Sequence, residues 1–313
     1  MKIKLCFAAC IAALSLVGCN EKVINLPSDG EMIDLTVDVS GPETRLTGAY
    51  QDKKINNVQV FVFDRLGVLE ATTVSESASI SVKCRTGIKT IVALANAEAV
   101  GNVGTYEELA HRRADLMTMT EGNEVMVGVT QDTLKTDRKV LLNVRRLAAK
   151  VCLNHISVNF QGPQYLNKRV TLKSIYLMNA AGDKCYLADD APSKWYNEGK
   201  YEPDNCPSVI YDGNIGDVII SGSNSRYVEH YFYCYPNGAD KKTYLVVETE
   251  IDGETFYYPV DLGVVESGHC YTCYLRIRHL GSYSPDIPVK DISVNSDVSV
   301  YPWVYEDTFG AEI

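Results

Sequence analysis

Residues 31–50, EMIDLTVDVSGPETRLTGAY, begin with strict alternation: Ile33, Leu35, Val37 and Val39 are apolar, and Asp34, Thr36, Asp38 and Ser40 are polar. A period of two puts the apolar set on one face of a strand, so a sheet with one side in a core is predicted. The strand runs into Gly41-Pro42 and a polar loop that carries Arg45. KINNVQVFVFDRLGVLEA sets Val58, Val60 and Val62 on one face and Ile55, Phe61 and Phe63 on the other, the pattern of a strand buried on both sides. Asp64 to Gly67 then turns the chain. ASISVKC and KTIVALANA read as two further strands parted by Thr86-Gly87. TYEEL predicts a helix capped by Thr105, with Glu108 three residues on, running to about Met117. EVMVGVT and KVLLNVRRLAAKVCLNHISVNF return to strand, the second breaking near Arg145-Arg146, where a domain boundary is expected.

The second half continues with RVTLKSIYLMNA as a strand and a polar, irregular excursion from Gly182 to Asn214. In TYLVVETEIDGETFYYPVDL, Asp252-Gly253 fits a two-residue type I′ turn between two alternating strands. HCYTCYLRIRHLG is another strand. The expected fold class is mainly β: two β-sandwich domains with Greek-key-like connections and a short helix in the first.

Length agrees, since 313 residues have room for about two domains. A net charge of −10 argues against a nucleic acid or an anionic membrane surface as partner. At the N-terminus, Lys2 and Lys4 precede an apolar run from Leu5 to Val17, too short to span a bilayer, which reads as a signal peptide over residues 1–18. Leu16-Val17-Gly18-Cys19 resembles the bacterial lipobox, which makes Cys19 the lipidated first residue of the exported chain. Acyl chains attached there would hold the protein on a membrane.

The search for catalytic chemistry is negative. Seven cysteines follow Cys19, an odd number that is no disulfide framework. Cys270 and Cys273 in CYTC would point to opposite faces of a strand, and no second pair exists to complete a zinc site. The five histidines lack metal-ligand spacing, and there is no nucleophile elbow, phosphate loop or dinucleotide fingerprint. Asp189-Asp190 reads as a solvated loop, and DGNIGD lacks the spacing and terminal glutamate of a calcium loop. The tyrosines of RYVEHYFYCY and FYYPV read as core more readily than as a sugar platform. No enzyme, metal or cofactor is expected.

Several segments converge on a family. The lipobox, INNVQVFVFDRLGVLE, IVALANA followed by TYEEL, EVMVG, VRRLAAKVCL and the terminal VSVYPWVYED resemble, in order and spacing, the fimbrillins of type V pili, the FimA-like fimbrial subunits. The long 182–214 region and the high cysteine and tyrosine content depart from that pattern. The resemblance implies transthyretin-like sandwiches and a non-enzymatic pilus subunit of the cell surface that supports adhesion. It implies a precursor anchored to the outer membrane by its lipid, palmitate included, then cut after an arginine by an arginine-specific protease. Arg45 stands where that cut is expected, with Leu46 as the new N-terminus, so residues 19–45 form a propeptide, 46–146 a first domain and 147–313 a second.

In that scheme Ile33, Leu35, Val37 and Val39 belong to a removable strand, and another subunit's strand fills the vacated groove by β-strand addition. The donor is expected in residues 298–313, with Val298, Val300, Trp303, Val304, Phe309 and Ile313 as groove-filling side chains. Pro302 interrupts the run, and 298–303 could equally be the last strand of the second domain. The alternatives are a tip or anchor subunit of the same pilus, or a lipid-anchored surface protein that binds glycans.

Overall fold

The structure is a computed structural model that describes residues 30–42, 54–165, 167–222, 226–239, 241–285 and 295–302. Its first half contains β1 (Met32–Ser40), β2 (Val58–Phe63), β3 (Leu69–Ser75), β4 (Ser79–Arg85), β5 (Gly87–Ala95), α1 (Tyr106–His111), β6 (Arg113–Asp115), β7 (Met126–Leu134), β8 (Arg138–Asn143) and β9 (Arg145–Arg146). Apart from β6, these strands form a three-stranded sheet ordered β4-β1-β8 and a five-stranded sheet ordered β3-β2-β5-β7-β9. The continuous apolar sequence of β2 follows from its place between two cores. Val58, Val60 and Val62 pack with β1 in the core between the sheets. Phe61 and Phe63 face the opposite way, into a larger core shared with α1 and the second half.

The second half contains β10 (Ala149–Val158), β11 (Arg169–Met178), β12 (Ala180–Ala181), β13 (Asp183–Cys185), β14 (Trp195–Tyr196), β15 (Tyr211–Gly213), β16 (Val218–Ile220), β17 (Arg226–Cys234), β18 (Tyr244–Ile251), β19 (Glu254–Asp261), β20 (His269–Ile277) and β21 (Asn295–Pro302). One sheet is ordered β17-β10-β20-β21; the other is ordered β15-β11-β18-β19, with β16 also on β11. Asp252 and Gly253 both have positive φ, 54° and 85°, as a type I′ hairpin between β18 and β19 requires. The mainly β class read from the sequence is the class observed.

Three expectations need correction. Ile55, expected on the face of Phe61 and Phe63, lies before β2 begins and packs instead on the core of Val58, Val60 and Val62. The helix ends at His111 instead of near Met117. Thr105 caps it, accepting from the Glu108 N–H at 3.2 Å, and Glu108 Oε2 accepts from the Gly104 N–H at 2.7 Å. It stops because residues 113–115 pair as β6 with β13, from the other half of the chain, in a register no local signal reveals. The 182–214 excursion is likewise not all irregular: β13 joins the two halves, β14 pairs with β12 and β15 with β11.

Candidate functional site

The first strand occupies the middle of its sheet. It pairs antiparallel with β4, from Met32↔Arg85 to Asp38↔Ser79, and parallel with β8, from Leu35↔Arg138 to Ser40↔Asn143. Leu35 and Val37 are fully buried, and Ile33 and Val39 nearly so, against Val58, Val60, Val62, Ile91 and Leu142. At roughly 1.5–3 kcal/mol for each buried side chain, the four together contribute on the order of 6–12 kcal/mol, an upper estimate. Without β1, β4 and β8 would face each other across an apolar groove, each with an unpaired edge.

The outward face is polar and held by weaker contacts. Asp34 lies 3.4 Å from Lys83 and Asp38 2.6 Å from Lys139, all at least partly exposed, and Thr36 and Ser81 share a hydroxyl contact of 3.2 Å. Hydrogen bonds from Lys139 and then Ser79 hold the Asp38 carboxyl below its usual range. Exposed pairs of this kind add little stability, so β1 is held mainly by its apolar side and its two backbone ladders.

The chain leaves β1 at Ser40, whose carbonyl accepts from the Val144 N–H at 2.9 Å, just before β9 and the second half. Gly41 and Pro42 follow. Arg45 and Leu46 lie outside the described residues, as do Cys19 and the tail residues Trp303, Val304, Phe309 and Ile313. Val298 and Val300 are in β21, at the edge of its sheet, opposite Cys273 and Tyr271 of β20. Val298 packs on the core while Val300 is 48% exposed.

All seven cysteines beyond Cys19 are free; Cys273 of β20 is buried in the core, and Cys270 is half-buried and packs against its edge. Burial pushes the Cys84 thiol up to about 11 and Cys152 to about 12, so neither is an activated nucleophile. In RYVEHYFYCY, Phe232, Tyr233, Cys234 and Tyr235 are buried, as the core reading expects. No group of three or more metal-ligating side chains occurs among the described residues.

Against this geometry, the major fimbrial subunit protein (FimA) family model matches residues 33–173, from within β1 through the first half and into β11. That segment, somewhat under half of the chain, is similar to the FimA-like fimbrial subunits. The chain is 23% identical to Fim1C of Parabacteroides distasonis, named as a candidate fimbrium tip subunit, over 90% of this chain and 88% of that protein. Its fold resembles that of a candidate cell adhesion protein from Bacteroides eggerthii, with a TM-score of 0.71 at 21% identity, covering 89% of this chain and 98% of that one. It also resembles a fimbrilin of Porphyromonas gingivalis, with a TM-score of 0.65 at 17% identity, covering 88% and 98%. The matched family model is that of a major fimbrial subunit.

The chain also has a polar joint that the sequence reading missed. Asp183 of β13, 2% exposed, accepts from Arg113 at 3.2 Å, from the Ser193 N–H at 2.7 Å and from the Lys194 N–H at 3.1 Å, and also from the Ser193 hydroxyl. Lys194 reaches across to Asp115 of β6. Asp190, read as solvated, lies 3.7 Å from His111 and 3.8 Å from Arg113. Single charges in polar loops gave no sign of this, because the partners are about 70–80 residues apart in sequence.

Proposed function

We propose that this chain is a stalk-type fimbrial subunit that polymerises by donor-strand exchange once a protease cuts after Arg45. The observation that carries the reading is the place of β1: a central strand with four inward apolar side chains, which ends five residues before Arg45 in the sequence. While attached, β1 competes for the groove at high effective concentration, so an uncut subunit resists exchange. A guanidinium suits the acidic pocket of an arginine-specific protease, and Gly41, Pro42 and Gly48 favour an accessible loop. The cut also parts the body, residues 46–146 and 147–313 as two domains, from a lipidated Cys19 on the outer membrane.

Residues 298–313 serve as donor. As an edge strand, β21 has one hydrogen-bonded ladder to break, and its Val300 is already half exposed, so its release costs less than leaving the β1 groove empty. The name of the Parabacteroides distasonis relative favours a second reading, a tip subunit that accepts a donor without supplying one.

The test is limited digestion of the chain lacking residues 1–18, with Cys19 replaced, by an arginine-specific protease, followed by mass spectrometry and size-exclusion chromatography. A first cut after Arg45 and oligomers that vanish when residues 298–313 are deleted are expected. A cut product that stays a folded monomer refutes self-polymerisation and favours the tip reading; oligomers that persist without the tail refute residues 298–313 as donor, and an uncut Arg45 refutes the processing step.

A further inference from the structure

An open pocket of about 390 Å³ lies on the outer face of the β3-β2-β5-β7-β9 sheet, the face turned away from β1. Thr90 of β5 and Gln131 of β7, paired directly across the ladder, form its floor with Val129, which is 48% exposed. One wall is the Asp64–Gly67 turn and the other is Tyr106 of α1. Both walls are fixed before any ligand arrives. Asp64 Oδ1 accepts from the N–H groups of Leu66 and Val68 at 2.8 and 2.9 Å. The Tyr106 N–H donates to the Gly67 carbonyl at 2.8 Å, and the Tyr106 ring stands edge-on to Phe63 at 5.8 Å.

Apart from Asp64, the polar ends lining this pocket are uncommitted: among the described residues, the Arg65 guanidinium, the Tyr106 hydroxyl, the Thr90 hydroxyl and the Gln131 amide have no polar partner. Donors and acceptors are mixed, one positive and one negative group are present, and the Tyr106 side chain lines the same space. A purely apolar ligand would find too little greasy wall, and a phosphorylated one would find a single cation next to a carboxylate. The volume lies at the small end of the range for ligand pockets, about 300–1,000 Å³. A pyranose ring fits this chemistry: its hydroxyl edge needs mixed donors and acceptors, and its C–H face stacks on an aromatic ring.

We propose that this pocket binds one pyranose unit of a glycan chain, with Arg65, Thr90 and Gln131 hydrogen-bonding its hydroxyls and Tyr106 against its C–H face. The open mouth suits a residue within or at the end of a longer chain. One such site binds weakly, but repetition along a polymer raises avidity by roughly 10²–10⁴. The site is independent of the exchange groove, so it can be tested on uncut monomer.

The experiment screens the uncut chain from residue 20 onward on a printed oligosaccharide array and measures each hit by saturation-transfer NMR. At least one glycan should bind, with Arg65→Ala, Gln131→Ala and Tyr106→Ala each weakening it tenfold or more. The first two are exposed and leave the fold intact; Tyr106→Ala, which loses the Phe63 contact, is read only if its unfolding midpoint is preserved. No signal above background, binding unchanged in Arg65→Ala and Gln131→Ala, or binding restricted to sulfated glycans and abolished by salt would each overturn the assignment.

Discussion

Leu35→Ala tests whether β1 is held in place by its apolar face. Leu35 is fully buried at the centre of the strand, paired to Val82 on one side and Arg138 on the other. Truncating it removes apolar contact and leaves a cavity among Val58, Val60 and Ile91, at a cost of about 3 kcal/mol. If that loss falls on β1 docking, the released state becomes about 100-fold more populated, since 1.4 kcal/mol is tenfold. For a chain of this size unfolding as one unit, at about 2.1 cal/mol/K of entropy per residue, the unfolding midpoint should fall by about 5 °C. The assay pairs calorimetry of uncut protein with chromatography over days, with Thr36→Ala as control because Thr36 faces outward on the same strand. Leu35→Ala should form tail-dependent oligomers without cleavage and Thr36→Ala should not. A midpoint lowered as expected with no uncut oligomers would refute the view that β1 docking alone bars exchange, and equal midpoints would refute its energetic basis.

Asp183→Ala should cost about 2–4 kcal/mol, because it leaves the Ser193 and Lys194 N–H groups without their acceptor and takes one of the acceptors of Arg113, which keeps the Ala191 carbonyl; chemical denaturation measures it, and a loss under 1 kcal/mol would contradict the assignment. Gly128→Ala should destabilise by about 1–3 kcal/mol, since an added Cβ would lie 2.1 Å from Leu142 Cδ2 and 2.5 Å from the Asn143 carbonyl, and an unchanged midpoint would argue against such close packing of β8 on β7. For pH, burial pushes the Asp115 carboxyl up, but Lys194 and the Met117 N–H outweigh it and leave its folded pKa below normal. Its contribution is therefore complete above about pH 4 and lost as pH falls through the depressed folded value. Lys194→Met should flatten the acid limb of stability against pH, and an identical slope would remove Asp115 from the account.

The sequence by itself determined what depends on local periodicity. Alternation in residues 32–40 fixed the buried face of β1, the double-sided apolar run fixed β2 as a strand between two cores, and Asp252-Gly253 fixed the hairpin, because each demands a particular backbone whatever surrounds it. The neighbours of those strands were not legible. Nothing in residues 32–40 states that β4 flanks one side antiparallel and β8 the other in parallel, yet that central position is what makes the strand's removal consequential. The early end of the helix at His111, the β6–β13 joint and the pocket between Tyr106 and Gln131 arise in the same way. They join residues far apart in sequence, whose pairing is rewarded only after the chain has closed the loops between them, so tertiary structure alone decides them.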